Sequence, residues 1–124
     1  MQIPNFLQVK AVVIVDFPVQ TPSGREQHGK RPAIIVALPN LTGATRYPVV
    51  IVVPLTTQQG NWVTQNPTLY PHLQAGMGNL IYDSIVLLDQ IRALDIQRVL
   101  GYRGDLTPDE YQPIADGLKA MFGF

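Results

Sequence analysis

Three apolar runs crowd into the first 55 residues, over residues 9–17, 32–38 and 48–55, and they constrain the fold more than any other feature. Each is rich in Val and Ile, and each is far shorter than the ~20 residues a membrane span needs. β-branched residues lose rotamer freedom in helices and pack well on a pleated surface, so the runs read as strands buried on at least one face. The breaks between them carry the opposite chemistry. Pro18, Pro22 and Gly24 force a loop after the first run, and Pro39-Asn40 through Gly43 forms a turn cluster after the second. Pro32 enters the second strand where a missing N–H costs least. Pro48 and Pro54 bracket the third, which gives way to the polar stretch Thr56-Thr57-Gln58-Gln59-Gly60.

The second half of the chain is less regular. Residues 68–73 read as a strand, Gly76 and Gly78 mark a loop, and residues 84–88 form a short strand leading into Asp89-Gln90-Ile91-Arg92-Ala93-Leu94-Asp95. Thr107-Pro108-Asp109-Glu110 then combines a Thr N-cap, Pro at the first helical position and Glu where a capping box needs it. Ile114, Ala115, Leu118, Met121 and Phe122 recur at helical spacing, which predicts a C-terminal amphipathic helix that Pro113 either kinks or delays. Strands followed by a terminal helix, without regular alternation, predict an α+β, mostly β, antiparallel barrel-like fold rather than a parallel doubly wound sheet. At 124 residues, a single domain over 1–124 is expected.

Several function classes lose their sequence support. The chain has no cysteine, which removes disulfides, thiolate zinc sites and a cysteine nucleophile and suits a reducing cytosol. Met1 to Lys10 lacks the pattern of a secretory signal, so a cytoplasmic protein is expected. His28 and His72 stand far apart and lack paired-ligand spacing, so no metal or other cofactor is expected; GxxxxGK[ST], GxGxxG and GxSxG are also absent. Nine basic residues balance nine acidic ones, but the balance hides a gradient. Before Val63 the basic residues exceed the acidic by 5 − 2 = 3, and from Val63 onward the acidic exceed the basic by 7 − 4 = 3. An anion site therefore belongs in the first half.

The polar loop Gly24-Arg25-Glu26-Gln27-His28-Gly29-Lys30-Arg31 lies between two apolar strands. Composition alone reads it as a solvated hairpin loop, yet loops on rigid scaffolds are where binding and catalysis concentrate. Arg31 stands against Pro32, where the backbone is restricted, so its guanidinium projects from a fixed base and can grip a phosphate through two parallel hydrogen bonds. Thr56 alone is an ordinary strand-end residue, and Asp89-Gln90-Ile91-Arg92 alone is a cap with a structural Asp89–Arg92 ion pair.

Taken in order, these segments resemble the MazF/PemK/Kid family of toxins from bacterial toxin–antitoxin pairs. The resemblance rests on Val15-Asp16-Phe17, Gly24 through Gln27, Gly29 through Val36, Val52-Val53-Pro54-Leu55-Thr56, Asp83 through Asp95, and Gly101 to Leu106 ahead of the amphipathic helix. It implies an SH3-like antiparallel barrel with a C-terminal helix, assembled as a homodimer. It further implies a metal-independent endoribonuclease that cuts single-stranded RNA at short motifs, and a cognate antitoxin with an acidic flexible tail. The family's catalytic arginine and threonine fall on Arg31 and Thr56, its Glu-Gln pair on Glu26 and Gln27, and its Asp-Gln pair on Asp89 and Gln90. Two positions depart from the pattern. Lys10-Ala11 stands where many relatives have Gly-Asp, and Leu87 where some carry a second arginine.

The residue inventory fits this chemistry. Metal-free cleavage uses the RNA's own 2′-OH, a base to take its proton and cationic groups to stabilise the phosphorane. Arginine stays protonated at neutral pH, which makes Glu26 the more natural base beside Arg31 and Thr56. Lys30 and His28 extend the basic loop toward phosphate, while Gln27, Gln58, Asp89 and Gln90, with Trp62 and Tyr47, offer edges or faces to unpaired bases. Two other readings use the same barrel: a non-enzymatic toxin that poisons DNA gyrase, faintly echoed by Met121-Phe122-Gly123-Phe124, and an RNA-binding module without turnover.

Overall fold

A computed structural model describes residues 3–19, 21 and 24–124; Pro22, read above as one of the loop-forcing residues, lies outside them. The three apolar runs form the centre of one antiparallel sheet, as β1 (Ala11–Phe17), β2 (Gly29–Ala37) and β3 (Val49–Thr56). A single-turn helix, α1 (Asn61–Gln65), and four shorter strands follow: β4 (His72–Leu73), β5 (Ser84–Val86), β6 (Arg92–Asp95) and β7 (Val99–Asp105). The sheet runs in the order β4-β5-β3-β2-β1-β7, with β6 paired to the far part of β3. It curls into a half-barrel, and helix α2 (Pro108–Phe122) follows the last strand. This is the antiparallel barrel with a C-terminal helix expected from the sequence.

The central strands are apolar on both faces because both faces are covered. Val13, Val15, Ala33, Ile35, Val50 and Val52 join Leu7 and Ile96 on one side. Val12, Ile34, Val53 and Leu55 join Leu88, Leu106 and Ile114 of α2 on the other. Val12, Val13, Val15, Ala33, Ile34 and Ile35 are wholly excluded from solvent, and complete burial of each Val or Ile side chain contributes ~1.5–3 kcal/mol. Gly117 lets α2 approach closely, since a Cβ there would collide with Leu88 and with the Thr68 carbonyl.

Pro54 lies inside β3 rather than at its end. It occupies the point where β3 stops pairing with β6, after Val52, and starts pairing with β5, at Leu55, so the missing N–H falls where the strand exchanges neighbours. Residues 29–31, read as loop, belong to β2, because Phe17↔Gly29, Asp16↔Lys30 and Val15↔Arg31 continue the ladder regardless of side-chain polarity. The strand expected over residues 68–73 shrinks to its last two residues. The Asn66 side chain accepts from Leu69 N and its carbonyl from Tyr70 N, which turns this backbone instead of pairing it. Helix α2 begins at Pro108 with both capping-box bonds in place, Glu110 N to Thr107 Oγ1 and Thr107 N to Glu110 Oε1. Pro113 therefore does not delay it, and the Asp109 carbonyl it leaves without a helical partner belongs to an exposed residue. Lys10, at the departure from the family pattern noted above, adopts a positive φ of 82°, a conformation that favours glycine.

Candidate functional site

Two clefts meet at the end of β3, and Thr56 lines both. Pro54 sets up this junction: it releases β3 from β6, and Leu55 and Thr56 then pair with Val86 and Ile85 of β5. Thr56 is 6% exposed. Its Oγ1 accepts from Gln58 N at 3.1 Å, which leaves the hydroxyl proton available for donation.

The first cleft has a volume of about 260 Å³ and draws Lys30, Arg31, Thr56, Thr57, Tyr82 and Arg103 around an apolar floor of Ile14, Pro32 and Leu55. Arg31 donates from Nε to the His28 carbonyl at 2.9 Å, so its two terminal nitrogens stay uncommitted. Among the described residues no carboxylate lies within 4.0 Å of that guanidinium; the only ion pair is Arg98 with Asp16, at 4.0 Å and on exposed side chains. Three cations without a counter-ion beside a buried hydroxyl form an anion site suited to the bidentate geometry of a phosphate. The backbone at Arg103 is fixed as well, since Asn79 Nδ2 donates to the Arg103 carbonyl at 2.9 Å.

The second cleft, of about 170 Å³, is built from amides, a carboxylate and aromatic rings: Gln27, Gln58, Trp62, Tyr70, Asp89 and Gln90 beside Thr56 and Leu87. Trp62 and Tyr70 meet edge to face, with centroids 4.9 Å apart. Tyr70 donates its hydroxyl to Asp89 Oδ2 at 2.7 Å, and this bond, followed by partial burial and the charge of Asp89, holds the phenol above its usual pKa of 10.0. The Gln27 backbone is clamped on both sides. Its N–H donates to Gln90 Oε1 at 3.3 Å, and its carbonyl accepts from Arg92 Nη1 at 3.3 Å, while the Arg92 guanidinium lies 5.3 Å from the Phe17 ring centroid. The Asp89–Arg92 ion pair expected from sequence is thus replaced: Asp89 takes Tyr70, and Arg92 takes the Gln27 carbonyl. Gln27 Oε1 is buried with no hydrogen-bond partner.

The structure therefore gathers Arg31, Lys30 and Thr56 at one cleft and Gln27, Thr56, Gln58, Asp89 and Gln90 at the other. Glu26 and His28 line neither; the Glu26 carboxylate folds back over Gly24, where a Cβ would come within 2.6 Å of Oε2. Tyr47 also lines neither cleft and lies instead under Arg46, 5.3 Å from its ring centroid. Three site residues, Arg103, Tyr70 and Tyr82, were not singled out from sequence. Arg103 belongs to β7, whose Gly101 and Gly104 and exposed polar positions hide a strand pattern; Tyr70 sits in the turn that replaces the expected strand. Arg103 brings a second arginine to the Arg31 cleft.

Among the described residues no group of three or more His, Cys, Asp or Glu could hold a metal ion, and no helix is long and apolar enough to cross a membrane. Residues 8–122 match the model of the family described as PemK-like, MazF-like toxin of type II toxin–antitoxin system. The fold is similar to that of MazF from Deinococcus radiodurans, at 21% identity over 98% of this chain and 100% of that one, with a TM-score of 0.74. It is also similar to a mycobacterial endoribonuclease solved with its cognate antitoxin, at 21% identity, 94% coverage of both chains and a TM-score of 0.67. The Mycobacterium tuberculosis toxin MazF-mt6 matches at 18% identity over 92% of this chain and 97% of that one, with a TM-score of 0.64.

Proposed function

Because this chain belongs to the PemK-like, MazF-like toxins of type II toxin–antitoxin systems, we propose that it is a metal-independent endoribonuclease acting on single-stranded RNA. The observation that carries this reading is the uncommitted Arg31 guanidinium sharing a cleft with the Thr56 hydroxyl. In the proposed reaction the 2′-OH attacks the adjacent phosphorus, the new O2′–P bond forms, and the P–O5′ bond breaks. The products are a 2′,3′-cyclic phosphate and a 5′-hydroxyl end. Arg31 spans two oxygens of the phosphorane, Thr56 donates to a third, and Lys30 and Arg103 hold neighbouring phosphates. Of the catalytic effects open to such a site, stabilisation of this developing charge lowers the barrier most. Glu26 takes the 2′-OH proton, and the departing 5′ oxygen takes a proton from solvent water to give the 5′-hydroxyl. Glu26 is exposed in the free protein beside the clamped Gln27 and reaches the 2′-OH when RNA fills the cleft, since catalytic contacts often tighten only in the complex.

The same reading includes a homodimer and an antitoxin. An exposed apolar surface of Phe6, Leu100 and Tyr102 supports self-association, and the unpaired cations of the first cleft suit an acidic tail that folds on binding. A relative crystallised as MazE-MazF from Deinococcus radiodurans supports the second point. A cytoplasmic site of action follows from an RNA substrate.

Incubation of the purified chain with a long RNA in EDTA tests the proposal. Site-limited cuts that disappear with Arg31→Ala are expected. Intact RNA would overturn the nuclease reading and favour a gyrase poison or an RNA-binding module, which supercoiling and binding assays separate.

A further inference from the structure

We propose that the second cleft is a guanine-selective base subsite, with Asp89 as its reader. This rests on the nuclease reading for its substrate and goes beyond it in naming the base. The hydrogen-bonding capacity of the cleft wall is fixed by contacts already described. A backbone N–H can pair only with an oxygen, so the Gln27 N–H bond orients the Gln90 amide with Oε1 inward and leaves its NH₂ as a donor. Asp89 can only accept when ionised; one bond from Tyr70 falls on Oδ2, and Oδ1 and a lone pair of Oδ2 remain. Gln27 Oε1 is shut off from solvent and adds nothing to the wall, so Asp89 is the acceptor that a base in the cleft meets.

The wall therefore offers acceptors beside a donor. Guanine is the one RNA base whose Watson–Crick edge carries two adjacent donors, N1–H and N2–H₂, next to the acceptor O6. Adenine, cytosine and uracil each present a single donor group there, and would leave a carboxylate oxygen facing an acceptor. The edge-to-face pair of Trp62 and Tyr70 borders the same space and supplies ring surface on which an unstacked base can lie. The cleft also shares Thr56 with the phosphate site, so a base held here sits next to the scissile linkage.

Trp62 is the only tryptophan in the chain, and its fluorescence reports on this cleft directly. Arg31→Ala protein, in EDTA at fixed salt, is titrated with uridine hexamers carrying one guanosine, inosine, adenosine or cytidine. Inosine differs from guanosine only by the missing N2 amine, so this arm needs no change in the protein. Guanosine should bind about 10-fold or more tighter than the other three, the size of a good bidentate base contact, and Asp89→Asn should erase the difference. Equal affinity for guanosine and inosine, tighter binding of any other base, or an unchanged preference in Asp89→Asn overturns the inference. Wild-type cut sites are mapped in parallel. Cuts without a shared guanine overturn the subsite and leave the nuclease standing, whereas guanosine preference without cutting by the wild type does the reverse.

Discussion

The two clefts on either side of Thr56 differ in almost every property except their shared residue. One is cationic, with Lys30, Arg31 and Arg103 and no counter-ion within reach among the described residues. The other holds no cation along its wall and is made of three amides, a carboxylate and two rings. Phosphate contacts position a nucleic acid without reading it, whereas edge hydrogen bonds read it with little long-range attraction. On the proposed reading, the contrast teaches how a chain of zero net charge can serve a polyanion: charge is concentrated where the backbone would pass and withheld where the base would be judged. It also accounts for the gradient along the sequence. The basic first half supplies Lys30 and Arg31, and the acidic second half supplies Asp89 and returns one arginine, Arg103, through β7.

This division can be broken residue by residue. Arg31→Ala should lower kcat by about 10²–10³-fold, the cost of removing one preorganised donor to a developing anion, with the melting transition little changed. Steady-state cleavage of a short oligonucleotide checks this. Glu26→Gln should follow at about 10²-fold if Glu26 is the base, an effect on kcat with KM unmoved. Thr56→Val keeps the β-branched shape but deletes the hydroxyl, and a hydrogen bond to a charged group contributes ~1.5–3 kcal/mol, so kcat should fall about 10- to 100-fold. The same change leaves Gln58 N without its acceptor, and a small loss of stability should appear in urea denaturation.

A finer separation comes from salt. Arg103→Ala should weaken RNA binding equally for all sequences and reduce the slope of log K against log salt by about 0.7, the value per phosphate contact on a single strand. Asp89→Asn should leave that slope unchanged and alter base preference alone. The smallest effect is spectroscopic. Asp89→Asn should move the Tyr70 phenol down toward its ordinary value, as seen in alkaline difference absorbance. The sign for stability follows: the folded protein holds the Tyr70 proton more tightly than the unfolded chain, so the Tyr70–Asp89 bond stabilises below the ordinary phenol value and is lost as pH rises through the raised one.

The central strands and the capped helix were legible in sequence because β-branched runs, Pro and Gly breaks and Thr107-Pro108-Asp109-Glu110 are local signals. Strand β7 was not legible, since a half-exposed strand with Gly101 and Gly104 has no period to read, and Arg103 went unnoticed with it. The reach of β2 back to Gly29 was hidden because ladder pairing depends on the backbone opposite, Asp16 and Phe17, rather than on the side chains of Lys30 and Arg31. At the site, the family resemblance, not residue type alone, implied Arg31, Thr56, Glu26, Gln27, Asp89 and Gln90, and the fold brings all but Glu26 to the two clefts at the end of β3. Their separation into two clefts depends on the change of partners at Pro54, and the Tyr70–Asp89 bond depends on the turn after Asn66; neither has a sequence signature.

The claim on which everything else depends is that Arg31 and Thr56 promote attack by the RNA's own 2′-OH. The most direct measurement is cleavage, in EDTA, of an oligoribonucleotide that carries a single 2′-deoxy sugar immediately 5′ of the mapped cut. That substrate should stay intact, while the same substitution one nucleotide away is cut normally and yields a 2′,3′-cyclic phosphate and a 5′-hydroxyl. Cleavage of the deoxy-substituted bond, or products ending in a 5′-phosphate, would contradict the account.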